Sequence, residues 1–91
     1  MKVKYFAYIR DFTGCRQAEE PDCDSVYSLL HMLSDKYGTE FRNKVLSQDG
    51  QALGKDIIIL VNGRHVSHLA GIQTPLSSKD EVSVFPVVAG G

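Results

Sequence analysis

Apolar and polar residues alternate with a period of two from Lys2 to Arg10. Val3, Tyr5, Ala7 and Ile9 fall on one face, and Lys2, Lys4, Phe6, Tyr8 and Arg10 on the other. That period predicts a strand packed on a core through its uncharged face, which leaves Phe6 and Tyr8 among charges on the outer face. Thr13-Gly14 predicts a turn. Arg16 to Glu20, short and polar, then reads as the returning edge strand of a hairpin, and Pro21 ends it. The period changes after Asp24. Val26, Leu29, Leu30, Leu33 and Tyr37 recur at i, i+3, i+4, i+7 and i+11, one apolar stripe of a helix. Asp24 or Ser25 caps its start, and Gly38 is placed to end it in a left-handed conformation. A shorter helix is expected over Glu40 to Ser47, with Phe41, Val45 and Leu46 inward, and Gln48-Asp49-Gly50 as a loop.

The unbroken apolar run Ile57-Ile58-Ile59-Leu60-Val61 predicts a strand with little water on either face, or with one face used by a partner. Asn62-Gly63 is a strong hairpin signal, and Arg64-His65-Val66 is its return. Leu69 to Leu76, with Gly71 and Pro75, reads as a loop, and Ser77 to Asp80 as a turn. In the last strand Val82 and Val84 share one face, and Glu81, Ser83 and Phe85 the other.

One long amphipathic helix can cover one face of one sheet and leaves the other face open. An order of two strands, a helix and further strands, with first and last strands central and parallel, is that of an α+β ubiquitin-like β-grasp. The expectation is a mixed sheet with one main helix packed on one face and a flexible C-terminal tail: a domain over 1–86 and a tail over 87–91. Phe6 and Phe85 then meet on the open face beside the tail, extended by Ile58 or Leu60. A patch of that kind marks a binding surface.

Composition narrows the function. Ninety-one residues suffice for one core. A net charge of -1, with no basic run, gives no footprint for nucleic acid, and no apolar stretch reaches membrane-spanning length. Met1-Lys2-Val3-Lys4 is unlike a signal peptide, so the expected compartment is the cytoplasm. Cys15 and Cys23 are then free thiols. His65 and His68 make a metal pair with no third ligand nearby, so no metal site is expected, and His65 lies near the docking surface. Asp80-Glu81 reads as a solvated turn. No nucleophile–base pair stands out, so any chemistry belongs to a partner's active site.

The candidate chemistry lies at the end. Pro86-Val87-Val88-Ala89-Gly90-Gly91 follows the last strand without a linker. A side-chain-poor segment can carry the Gly91 carboxylate into another protein, and Val87 to Gly91 extended would reach roughly 17 Å at about 3.3–3.6 Å per residue.

The opening Lys-Val-Lys-Tyr-Phe-Ala-Tyr-Ile-Arg, Thr13-Gly14, Leu60-Val61-Asn62-Gly63 and the ending Asp80 to Gly91 occur in the order found in one family. The chain resembles the small, sulfur-carrying subunit of molybdopterin synthase (the MoaD family, related to ThiS-type carriers). It departs from that family at Val87, where a second proline is common. The resemblance implies that Gly91, with Gly90 before it, is adenylated with ATP by an activating enzyme (MoeB-like). The acyl group then becomes a thiocarboxylate with sulfur from a donor protein. The tail enters a large subunit (MoaE-like), as a heterodimer, to build the molybdopterin dithiolene. It also implies that the carrier binds no cofactor of its own, and that Phe6, Phe85, Pro86, Val87, Val88 and Ala89 meet the partner. One alternative shares the chemistry, a carrier for thiamine thiazole, RNA thiolation or cysteine; another, of a different class, is a ubiquitin-like modifier conjugated through Gly91. Thiamine-type carriers are usually shorter and lack a segment like Gly38 to Gly50. A further alternative is a plain β-grasp binding module with an inert tail.

Overall fold

In the computed structural model, residues 1–87 are described. Five strands form one mixed sheet: β1 (Lys2–Tyr5), β2 (Gln17–Glu19), β3 (Ile57–Val61), β4 (Arg64–His65) and β5 (Glu81–Pro86), in spatial order β2-β1-β5-β3-β4. β1 and β5 run parallel at the centre, with Lys4 beside Ser83 and Tyr5 beside Val84. β3 pairs antiparallel with β5, Ile58 opposite Phe85 and Leu60 opposite Ser83. This is the expected α+β ubiquitin-like β-grasp, with first and last strands adjacent.

The inward residues are those the alternation selected. Val3, Tyr5, Ile59, Val82 and Val84 are fully buried. Helix α2 (Val26–Tyr37) closes this face with Val26, Leu29, Leu30 and Leu33, also fully buried, and α3 (Thr39–Val45) adds Phe41 and Val45. Each such aliphatic side chain contributes about 1.5–3 kcal/mol of transfer free energy. Ser25 caps α2, its Oγ accepting the Ser28 N–H at 3.1 Å. Gly38 ends it at φ 104°, ψ 179°, an extended region open essentially to glycine, and not in the left-handed helical geometry expected.

The first hairpin differs most from expectation. β1 stops at Tyr5, and a helix, α1 (Ile9–Thr13), stands where strand was predicted to Arg10. Ala7 adopts φ 52° and turns the chain out of the sheet, so it is exposed and not inward. Ile9 still reaches the core, now from a helix, with Phe12 one turn on packed against it. Spacing of three between Ile9 and Phe12 competes with the two-residue alternation, and the helical solution buries Ile9 while packing a half-buried Phe12 against the core. Thr13-Gly14 is consequently the end of α1 and not a strand–strand turn. β1 and β2 pair antiparallel as expected, with Val3 opposite Ala18.

Asn62 (φ 52°) and Gly63 (φ 83°) form the tight turn between β3 and β4, with Val61 opposite Arg64. The return is shorter than predicted, because Val66 begins a 3-10 turn, η1 (Val66–His68), and drops into the core. Asp80, expected to be merely solvated, holds the turn before β5. Its carboxylate accepts from the Ser77 N–H at 2.8 Å and the Asn62 side-chain amide at 2.9 Å, while Asn62 Oδ1 accepts from the Glu81 N–H at 2.9 Å. Those bonds, led by the one from Asn62, lower the Asp80 pKa.

Candidate functional site

The open face of the sheet carries the outward residues of β1, β5, β3 and β4, and it divides by character. At one end, where β5 leaves the sheet, Phe6 and Phe85 stack with ring centroids 4.0 Å apart and planes 10° from parallel. The stack arises because Phe6, just past β1, is tied to β5: its N–H donates to the Val84 carbonyl at 3.1 Å. Both rings are half-buried. Such a pair contributes about 0.5–1.5 kcal/mol beyond its buried area. Ile58, opposite Phe85, and Leu60, two residues on, extend the patch, both half-buried. Arg10 was read as an outer strand residue. From α1 it instead brings its guanidinium to 5.7 Å from the Phe6 ring centre and donates from Nε to the Tyr5 carbonyl at 2.8 Å.

The other end is polar. Lys4 and Glu81 pair at 3.0 Å. Between the ends runs a row across four strands, Gln17, Lys4, Ser83 and Leu60, with His65 beyond it on β4. His65 therefore lies on the same open face as the aromatic patch. Its Nδ1 accepts the Ser67 N–H at 3.0 Å and caps η1. The His65 and His68 rings lie 6.1 Å apart, and among the described residues no group of three side chains could hold a metal ion.

At the root of the tail, Pro86 is buried opposite Ile57, and the Val87 N–H donates to the Asp56 carbonyl at 2.8 Å. The Val87 side chain is 45% exposed. Val88, Ala89, Gly90 and Gly91 lie outside the described residues. Beside the root, Phe12, Glu40, Asn43, Lys44, Lys55 and Asp56 line a groove of about 440 Å³. Tyr8, expected on the outer face, packs here edge-on to Phe12, with the Lys44 ammonium over its ring at 5.3 Å.

One cluster gave no signal in the sequence pattern. Glu20, at the end of the edge strand, has a fully buried side chain. Its carboxylate accepts from the Tyr5 hydroxyl at 2.8 Å, the Tyr37 hydroxyl at 2.7 Å and the Lys36 ammonium at 2.6 Å. Burial alone would raise its pKa, but the bonds from Lys36, Tyr37 and Tyr5 outweigh burial and hold it below the ordinary value. The phenols move the other way: burial first, and then the bond to Glu20, raises Tyr5 strongly and Tyr37 as well. A charge in a strand read as solvated is visible only once α2 packs over it.

The geometry is that of a small rigid platform with an apolar patch where its last strand ends. A family model described as the ThiS family matches residues 3–91 of the chain. The chain belongs to the ThiS family. An Archaeoglobus fulgidus protein named as a sulfur carrier is 43% identical to this family member over 67 residues, 74% of each chain. Among solved structures, small archaeal modifier protein 1 from Methanosarcina acetivorans superposes with a TM-score of 0.86 at 32% identity, over 99% of this chain and 94% of that one. A Pyrococcus furiosus protein named as molybdopterin converting factor subunit 1 superposes at 0.70 with 31% identity, over 96% and 95%. The ThiS-family fold thus serves small sulfur carriers and ubiquitin-like modifiers alike, and no helix among the described residues is long and apolar enough to cross a membrane.

Proposed function

We propose that this ThiS-family protein is a sulfur carrier whose working group is the Gly91 carboxylate. A carboxylate is a poor electrophile. Joining it to the AMP part of ATP, with loss of pyrophosphate, provides a leaving group, and a sulfur nucleophile then displaces AMP to leave a thiocarboxylate. An adenylating enzyme performs the activation, a donor protein supplies the sulfur, and the tail delivers it. The acceptor we favour is the molybdopterin precursor held by a synthase large subunit. This rests on the ordered motifs ending in Asp80 to Gly91 and is supported by the likeness to the Pyrococcus furiosus protein. The observation that carries the reading is the Phe6–Phe85 stack at the end of β5, immediately before Pro86-Val87. A partner that grips the stack receives whatever follows. Val87 to Gly91 are small or apolar and add little bulk to a channel.

A second reading, conjugation of Gly91 to lysines of other proteins, is favoured by the likeness to the Methanosarcina acetivorans modifier. It shares the activation step and differs in the nucleophile that follows.

Deleting Gly91 is expected to abolish ATP–pyrophosphate exchange with the purified adenylating enzyme of the same organism and leave the melting temperature unchanged. Undiminished exchange would overturn the assignment. Phe85→Ala is expected to weaken binding to that enzyme by about 2 kcal/mol, as aromatic anchors do. Intact mass after sulfuration should rise by one oxygen-to-sulfur exchange, whereas lysine-linked adducts alone would favour the modifier.

A further inference from the structure

The tautomer of His65 is fixed by its neighbours. Nδ1 accepts the Ser67 N–H at 3.0 Å, so the neutral ring carries its proton on Nε2. The two ring nitrogens are therefore separable: Nδ1 caps η1, and Nε2 has no hydrogen-bond partner among the described residues. His65 leaves the sheet on the open face, because it pairs with Leu60, and Leu60 lies on the side of β3 opposite to the buried Ile59 and Val61.

Distance makes the donor matter. Phe85 and His65 are two strands apart and two residues apart along the strands. At about 4.8 Å per strand and about 3.4 Å per residue, that is about 12 Å. A stable interface covers about 800 Å² on each partner, a disc of roughly 16 Å radius. A protein large enough to hold the Phe6–Phe85 stack therefore covers His65 too. A covered donor with no acceptor gives up its bond to water for nothing, which weakens binding by at least about fivefold.

We propose that His65 is a specificity-determining residue of the docking face: its Nε2–H donates to an acceptor oxygen that the adenylating enzyme presents beside the apolar anchor seated on Phe6 and Phe85. This rests on the reading of Gly91 as a substrate of that enzyme. A protein offering the same apolar anchor with no acceptor at this place is discriminated against, because its docking strands the imidazole N–H.

Two substitutions separate the roles. In His65→Asn the short amide can still cap Ser67 but no longer reaches outward. In His65→Gln the amide nitrogen reaches where Nε2 stood, and the cap is lost. Binding of each full chain to the purified adenylating enzyme is measured by calorimetry, and folding by thermal melting. His65→Asn is expected to melt like wild type and bind about five- to tenfold more weakly. His65→Gln is expected to bind within about twofold of wild type even where its melting temperature falls. Wild-type binding by His65→Asn, or weak binding by His65→Gln alone, overturns the proposal, the latter by showing that His65 acts only through the cap. ATP–pyrophosphate exchange with the wild-type chain is the control. Its absence condemns the carrier reading, whereas normal exchange with undiminished His65→Asn binding condemns only the role of His65.

Discussion

Ala7 shows what one residue decides. At φ 52° it occupies backbone space that disfavours a Cβ, and it does so between Phe6, in the stack, and Ile9, in the core. The turn it makes releases the chain from β1, starts α1 and brings Arg10 back over Phe6. Strain of this sort costs on the order of 1 kcal/mol. Ala7→Gly is expected to raise stability by up to about 1 kcal/mol in urea unfolding, since the relief outweighs the freedom gained by the unfolded chain. Ala7→Val, branched at Cβ, is expected to lower it by more than that. Equal stability of all three would mean that the turn carries no strain. Nothing in the period-two pattern disclosed this turn. Alanine is neutral in sequence, and the left-handed angle accompanies a turn that carries Ile9 into the core and packs Phe12 against it.

At the scale of elements, the sheet and α2 were legible because each has one water-free face and a strict period. The segment after α3 was not, because its packing depends on backbone contact and not on side-chain pattern. Gly54 donates its N–H to the Val45 carbonyl at 2.9 Å, and a Cβ added there would lie 2.2 Å from the Lys44 carbonyl oxygen. That contact pins the loop before β3 to the end of α3, beside the groove and the Val87–Asp56 bond. Backbone must move to admit a side chain. Gly54→Ala is therefore expected to cost about 2–4 kcal/mol and to raise amide exchange over residues 46–56 first. A wild-type unfolding midpoint would show that loop and helix are not so joined. The candidate site divides the same way: alternation put Phe6 and Phe85 on one face, while the hairpin register decided that His65 joins them.

For the molecule as a whole, Glu20 ties the edge strand β2 to β1 through Tyr5 and to α2 through Lys36 and Tyr37. Its folded pKa is lowered below the ordinary 4.5. The unfolded chain thus takes up a proton at higher pH than the folded one, so the carboxylate's stabilisation is complete above about pH 4.5 and is lost as pH falls through the folded value. Lys36 is raised by its bond to Glu20, and Tyr5 and Tyr37 by burial and then by the same carboxylate. Their contributions are complete below about pH 10, the ordinary phenol value of 10.0, and are lost as pH rises above it. The Met1 ammonium is also raised from its ordinary 8.0, first by its bond to Asp22, so melting temperature is expected to be flat between about pH 4.5 and 8 and to fall on either side. Glu20→Gln should lower stability at pH 7 by about 1–3 kcal/mol, because an amide cannot accept all three bonds, and should flatten the acid arm. An unchanged acid arm in that variant would assign it to other carboxylates.

The sequence by itself determined most of the core face of β1, β3 and β5, where α2 begins and ends, and that Phe6 and Phe85 fall on outward positions of their strands. All of these follow from local periods that leave one way to keep apolar side chains from water. The tertiary structure decided the rest: the left-handed Ala7 and the helix it starts, the close approach at Gly54, the buried Glu20, and the place of His65. Each depends on how separate elements meet in space, or on two local periods competing over the same stretch, and a single chain pattern carries no term for either.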